Sequence, residues 1–305
     1  MATTHRFYQL DVFTRTPLAG NPLAVFPDAR GLDAGTMQAL AREMNLSETT
    51  FVTPSSVATR RVRFFTPAAE IPLAGHPTIG TWWLLAELGA VPELPTDGSG
   101  QVTQETGRGV LAVDVILAGG RPAEVTMRQA LPEFGHVVDD RAALAAALGG
   151  DATLLADGPA PQVVSTALPQ LMVPVRSRVA LAALPSGGAG GGLAAFLRRI
   201  GTDCAMLFVP DREGSRTIAW CRMFAPGLGI PEDPATGSAA GALGAYCVRH
   251  GLLPARGEVS LVVHQGHEIG RPSRIAVTVR SAGAEVTEVR VGGSAVRVIE
   301  GQVSL

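Results

Sequence analysis

Lysine is absent from this chain, so all 25 of its Lys+Arg positions are arginines. Arginine stays protonated and does not act as an amine nucleophile, whereas a pyridoxal Schiff base, a lysine aldolase and a Walker A loop each need a lysine. Those three mechanisms are excluded. A genomic base-composition bias suffices to explain the absence, which therefore suggests no mechanism of its own. Cysteine is also scarce: Cys204, Cys221 and Cys247 are 3 widely spaced residues with no C-x-x-C. Such a set builds neither a disulfide framework nor a zinc cage, and it suits a reducing compartment. Excess charge of one sign is missing too, with 25 basic against 27 acidic residues and a net charge of −2. Nucleic-acid binding needs a basic stripe, and none is present. Apolar runs are short. Thr81-Trp82-Trp83-Leu84-Leu85-Ala86 stops at Glu87, where a membrane helix needs about 20 apolar residues. The opening Met1-Ala2-Thr3-Thr4-His5-Arg6-Phe7-Tyr8 lacks the apolar core of a signal peptide. The expectation is a cytoplasmic protein without nucleic-acid or membrane partners and without a metal.

What is present points to two related domains, for which 305 residues are enough. A strand is expected over Phe7–Phe13, then a turn at Gly20-Asn21-Pro22 and a second strand over Leu23–Phe26. Asp33 is placed to cap a helix over Ala34–Met44, with Met37, Leu40, Ala41 and Met44 on one face. Strands are expected around Phe51-Val52 and Val62–Phe65. A helix over Thr78–Leu88 follows, with Pro77 in its first turn and Gly89 at its stop. The segment Leu40-Ala41-Arg42 … Phe51-Val52 … Phe64-Phe65-Thr66-Pro67 recurs as Leu197-Arg198-Arg199 … Phe208-Val209 … Met223-Phe224-Ala225-Pro226, displaced by 157 to 159 positions. Each copy then runs through a Gly/Pro turn into a helix, the second expected over Ser238–Val248. Two such copies imply two similar domains with a site in the cleft between them. The Gly187–Gly192 tract lacks the G-x-G-x-x-G frame and reads as a flexible loop. Ile275–Val279 and Glu288–Val291 alternate like strands closing a sheet.

Three titratable residues flank the two turns. Glu48 stands between a helix and an apolar strand, where burial would raise its pKa toward a value useful for proton transfer; a solvated loop glutamate is the ordinary alternative. His76 lies where free backbone N–H groups gather at a helix start and would titrate near or below its usual value, ready to donate to a developing enolate, or else simply cap the helix. Asp233 precedes the second turn, where the small Thr236, Gly237 and Ser238 would let a carboxylate reach the backbone amides; otherwise it is an acidic helix start. Ser238 is not a nucleophile elbow, because Thr236 replaces its first glycine. His264 and His267 read as a surface pair, and Arg60, Arg61 and Arg63 as a solvated strand edge.

Several motifs together resemble the PhzF family of phenazine-biosynthesis-type isomerases. They are Gly20-Asn21-Pro22-Leu23-Ala24-Val25, Asn45-Leu46-Ser47-Glu48-Thr49, Phe65-Thr66-Pro67, Glu70-Ile71-Pro72-Leu73-Ala74-Gly75-His76-Pro77-Thr78, Met223-Phe224-Ala225-Pro226, Glu232-Asp233-Pro234-Ala235-Thr236-Gly237-Ser238-Ala239 and Gly270-Arg271-Pro272-Ser273. The resemblance spans nearly the whole chain. It implies the α+β, diaminopimelate-epimerase-like fold: two pseudo-symmetric domains, each a curved mixed sheet around a central helix, with the C-terminus returning to the first. On that basis the domains are placed at 1–127 with 289–305, and at 128–288. It further implies cofactor-free proton transfer, a homodimer, and catalytic roles at Glu48, His76 and Asp233. Asn21, Ser47, Gly75, Gly237 and Ser238 are expected to bind a small carboxylated substrate, either dihydro-hydroxyanthranilate-like or amino-acid-like. Related epimerases carry one cysteine in each turn. Here neither turn has one, which disfavours a two-thiol racemase. The alternatives are a racemase or epimerase that pairs Glu48 with another group, and a non-catalytic small-molecule-binding protein.

Overall fold

The computed structural model describes residues 3–151, 153–189, 191–283 and 285–305. Two compact units emerge, one of Met1–Met127 with Gly292–Leu305, the other of Arg128–Val291.

The first unit opens with β1 (Thr4–Val12), β2 (Asn21–Phe26), α1 (Ala34–Met44), β3 (Thr49–Thr53), β4 (Arg60–Phe65) and the two-residue β5 (Glu70–Ile71). Then come α2 (Gly75–Glu87), β6 (Gly98–Thr106), β7 (Gly109–Ala118) and β8 (Arg121–Arg128). β1 is antiparallel to β2, which runs parallel to β3; β3 and β4 are antiparallel, and β4 runs parallel to β6. β6, β7 and β8 form an antiparallel meander. The mixed sheet curls around α2, which touches β1, β2, β3 and β7. Every residue from His76 to Ala86 is buried, as expected of a helix whose sides all face a sheet. Close approach is permitted by Gly80, where an added Cβ would lie 2.6 Å from Leu23 and 2.7 Å from Val12. On the outer face, α1 packs Met37, Leu40 and Ala41 against Phe26, Phe51 and Phe65. Phe26 stacks on Phe51 at 4.8 Å, and Phe51 meets Phe65 edge-on at 5.4 Å.

The second unit contains β9 (Glu133–Val137), α3 (Arg141–Leu148), β10 (Gln162–Ser165), β11 (Pro169–Pro174), α4 (Arg178–Ala182), α5 (Gly192–Arg199), β12 (Ala205–Glu213) and β13 (Arg216–Ala225). Next are β14 (Ile230–Asp233), α6 (Gly237–Arg249), β15 (Arg256–Gln265), β16 (Ser273–Ala282) and β17 (Glu285–Gly293). Its ladder repeats the first plan: β11 parallel to β12, β12 antiparallel to β13, and β13 parallel to β15. α6 is the central helix, buried from Ala239 to Val248 and lying on β10, β11 and β16. Gly244 is its point of close contact, 2.8 Å from Val277 were a Cβ present. Finally β18 (Ala295–Ser304) pairs antiparallel with β1 in the first unit.

Two local expectations change. Arg61 is solvated, with half of its side chain exposed, but Arg60 donates to the Thr59 and Ala90 carbonyls at 2.6 Å and Arg63 grips Glu70. These two guanidiniums have carbonyl and carboxylate partners to meet, so they are not a solvated edge. Within the glycine tract, Gly187 and Gly188 turn at positive φ and Gly191 caps α5, which starts at Gly192; Gly190 lies outside the described residues. A loop therefore gives way to a helix because Leu193, Phe196 and Leu197 can bury one face. His264, half-buried, and His267, exposed, form the expected surface pair, His264 stacking on Trp220 at 4.7 Å and His267 meeting it edge-on at 5.0 Å, with Arg178 across the indole.

Candidate active site

In the first unit the site begins where α1 ends. Asn45 takes a left-handed conformation, φ 49°, and its N–H bonds back to the Ala41 carbonyl. That turn redirects the chain, so Ser47 and Glu48 lie directly ahead of β3. Ser47 Oγ donates to Asn21 Oδ1 at 3.3 Å, which ties the start of β2 to the start of β3. Glu48 extends toward α2, and its Oε2 stands 3.6 Å from His76 Nε2. That separation is beyond a normal hydrogen bond, so the two groups are close polar neighbours that are not bonded to one another.

Glu48 is unusual in its surroundings. One-fifth of the side chain is exposed, yet Oε2 itself is inaccessible and has no hydrogen-bond partner among the described residues. Burial destabilises the carboxylate and pushes its pKa up to about 6, against the opposing hydrogen bond from Ser47. A carboxylate costs free energy in such a place unless something compensates, and recessed groups of this kind mark functional positions.

The N-terminus of α2 supplies the other half. Ala74 is its N-cap and makes no side-chain capping bond, so the helix start is shaped by backbone alone. Behind them lies a buried polar chain. Thr78 Oγ1 donates to the Ala74 carbonyl at 2.8 Å, Gln104 donates to Thr78 Oγ1 at 3.2 Å, and Trp82 Nε1 donates to Gln104 Oε1 at 2.9 Å. This chain fixes the depth of the turn from the far side of the helix. Local sequence could not flag Gln104, because it lies 26 positions from Thr78 on β6, a segment that carries no motif.

The second unit builds its turn differently. Asp233 ends β14 and accepts a short hydrogen bond from Thr236 Oγ1. Gln265 donates to the Asp233 carbonyl at 2.7 Å and accepts from Thr236 N at 3.2 Å. Ser273, from the Gly270–Ser273 motif, donates to the Pro234 carbonyl at 3.0 Å. As at α2, the N-cap of α6 makes no side-chain capping bond. The Gly237 carbonyl accepts from Gln129, and Ser238 Oγ accepts from Gln170 at 3.0 Å. Ser238 is thus engaged from below by an amide, consistent with a cradle rather than a nucleophile.

The structure therefore brings Asn21, Ser47, Glu48, Gly75 and His76 together in the first unit, and Asp233, Gly237 and Ser238 together in the second. Two hollows of the first unit lie elsewhere. One, of about 350 Å³, lies beyond the other end of β3, lined by Thr53, Pro54, Arg60 and Ala90; none of the candidate residues borders either. Neither turn contains a cysteine. All three cysteines are buried, and burial pushes Cys204 and Cys247 up to about 12 and Cys221 well upward.

Comparison with known proteins places the chain. A model of the phenazine biosynthesis-like PhzC-PhzF family matches residues 10–301. A trans-2,3-dihydro-3-hydroxyanthranilate isomerase of Pseudomonas aeruginosa is 36% identical, over 99% of this chain and 100% of that protein. The crystal structure of a PhzF-family phenazine biosynthesis protein from Bacillus anthracis superposes with a TM-score of 0.88 at 29% identity, covering 99% of each chain. A hydroxyproline epimerase from Agrobacterium vitis shares the fold, with a TM-score of 0.66 at 12% identity over 99% of this chain and 93% of that one. No helix among the described residues is long and apolar enough to cross a membrane.

Proposed function

The chain belongs to the PhzC-PhzF family of phenazine biosynthesis-like isomerases, and from that premise we propose that it moves a proton between carbons of a small carboxylated substrate without a cofactor. Glu48 is the base and then the acid. Its carboxylate takes a proton from an sp³ carbon next to a conjugated system, and the electron pair of that C–H bond moves into the system. The same proton returns from the Glu48 carboxyl to another carbon of the substrate, so the reaction is a net isomerisation; the enol formed becomes a ketone. His76 positions the substrate and stabilises the developing enol. In the second unit, Asp233 and the Gly237-Ser238 turn hold the substrate, its carboxylate against the uncapped amides.

One observation carries this reading: a glutamate with an inaccessible, unbonded Oε2 and a pKa raised to about 6, standing beside a histidine at a helix N-terminus. A base of that strength is ionised at neutral pH and still strong enough to take a carbon-bound proton. A ligand-binding protein has no use for that costly carboxyl. A two-thiol epimerase is disfavoured because every cysteine is buried with its thiol held protonated. Trans-2,3-dihydro-3-hydroxyanthranilate is the first substrate to test, followed by other small carboxylic acids. The test is proton NMR in D2O with wild type and Glu48→Gln. Exchange or isomerisation lost in the variant supports the reading, and equal activity in both contradicts it. The proposal also includes a cytoplasmic homodimer, an expectation carried by family resemblance; a monomeric mass by light scattering would remove the dimer.

A further inference from the structure

Each unit approaches its turn through a very short strand. In the first unit, β5 is held to β4 only through Phe64–Ile71 and Phe65–Glu70. In the second, β14 meets β13 at Met223–Asp233 and Ala225–Ile230, with a register shift between them. So little ladder cannot fix the direction in which the following turn leaves the sheet. A side-chain pair stands at this point in both units. Arg63, on β4, holds Glu70 with Nε–Oε1 and Nη2–Oε2 both at 2.7 Å. Arg222, on β13, holds Glu232 with Nε–Oε1 at 2.9 Å and Nη2–Oε2 at 2.5 Å. Each guanidinium also sits over the phenylalanine two residues further along its own strand, Arg63 at 5.1 Å from Phe65 and Arg222 at 4.9 Å from Phe224. The two arginines are 159 positions apart in the repeat.

The remaining guanidinium nitrogen reaches a second segment in both cases. Arg63 Nη1 contacts Met37 Sδ at 3.4 Å on α1, the helix that leads to Glu48. Arg222 Nη1 donates to the carbonyls of Leu184 at 2.5 Å and Leu181 at 3.1 Å, and Ser186 Oγ donates to Glu232 Oε2 at 2.6 Å. We propose that these repeated arginine–glutamate clips are positioning devices: Arg63–Glu70 sets the turn that carries His76 and its spacing from Glu48, and Arg222–Glu232 sets the turn of Asp233. The fork matters as well as the charge, because two parallel N–H···O bonds fix the plane and direction of the carboxylate, which an ammonium cannot do. The proposal rests on the reading of Glu48 and the two turns as the reaction's machinery.

The test is amide hydrogen exchange of the full-length protein, read over residues 71–78 and 233–240, in Arg63→Lys, Glu70→Gln and Arg222→Lys. Arg30→Gln, which breaks the exposed bidentate pair with Asp28, is the control. The first two variants should accelerate exchange roughly fivefold or more over 71–78 and leave 233–240 unchanged, with Arg222→Lys doing the reverse and Arg30→Gln neither. A 13C titration of Glu48 on the same proteins separates positioning from a mere strut. In Arg63→Lys and Glu70→Gln its midpoint should fall toward the ordinary glutamate value, because a loosened turn admits water. Unchanged exchange, acceleration of both turns alike, or a Glu48 midpoint that stays where it is in wild type would each overturn the proposal. A fully active Glu48→Gln would instead sink the catalytic reading, and the turn-specific exchange would still decide whether the clips exist.

Discussion

The clip of the first unit has its glutamate side chain 43% exposed and its arginine 20% exposed, whereas the Arg222 and Glu232 side chains of the second unit are 3% and 2% exposed. The geometry is shared and the solvent is not. An exposed pair of this kind stabilises a protein by about 1 kcal/mol or less. Inside the protein, removal of one partner strands a charge and costs roughly 3–5 kcal/mol. The same device should therefore add little to stability in the first unit and much in the second. The site contrasts follow suit. Glu48 has the Ser47 side chain as its hydrogen-bonding neighbour and its Oε2 is unpartnered among the described residues, while Asp233 sits in a turn tied by Gln265, Ser273 and Thr236. On the proposed reading, the group that changes protonation is desolvated with one oxygen unpartnered, and the group that holds the substrate is bonded from several sides.

The largest expected effect lies at the looser of the two. Glu48→Gln should lower kcat/KM by about 10³-fold or more, as for loss of a general base, while Asp233→Asn acts chiefly on KM; steady-state kinetics on the two variants separates the roles. The same Glu48→Gln protein should be more stable than wild type at neutral pH. Glu48 binds its proton more tightly in the folded chain, at about 6, than at the ordinary 4.5, so its contribution to stability is lost as pH rises through that window. The cost at pH 7 is about 2 kcal/mol, and urea unfolding at pH 4 and pH 7 would reveal it.

Next in size is Arg222→Met, expected to destabilise by roughly 3–5 kcal/mol, against about 1 kcal/mol or less for Arg63→Gln. Equal losses in urea melts would break the contrast between the clips. Smaller again, and alike in both units, are Gly80→Ala and Gly244→Ala. Each inserts a methyl group where a neighbouring side chain lies under 3 Å from the added carbon, and each should cost about 1–3 kcal/mol of stability. A difference between them would show that the two central helices do not bear on their sheets equally.

Much of this was legible in the residues. α1 has the expected bounds because Asp33 provides a side-chain cap, accepting from Thr36 N at 2.7 Å, and Asn45 closes the helix. The central helix of the first unit begins at Gly75 instead of Thr78, since Ala74 caps it with backbone alone and leaves no residue signal. No strand was expected between Gly89 and Met127, although β7 buries Val113, Val115 and Leu117 at alternate positions. The motif residues around Glu48 and His76 could be picked out, but their 3.6 Å approach could not, because it depends on how far α2 descends toward β3. Arg63 was read as a solvated edge for the same reason. Its partner sits opposite it only once β5 folds back on β4, and no local spacing encodes that return.

The measurement that bears most directly on the central claim is the pH dependence of kcat/KM for a substrate that wild type isomerises, with Glu48→Gln alongside. Activity should rise with pH through an ionisation near 6, the pH at which Glu48 becomes a carboxylate, and the residual rate of Glu48→Gln should lack that limb. An acid limb near 6 that persists in Glu48→Gln would assign the ionisation to another group and contradict the account.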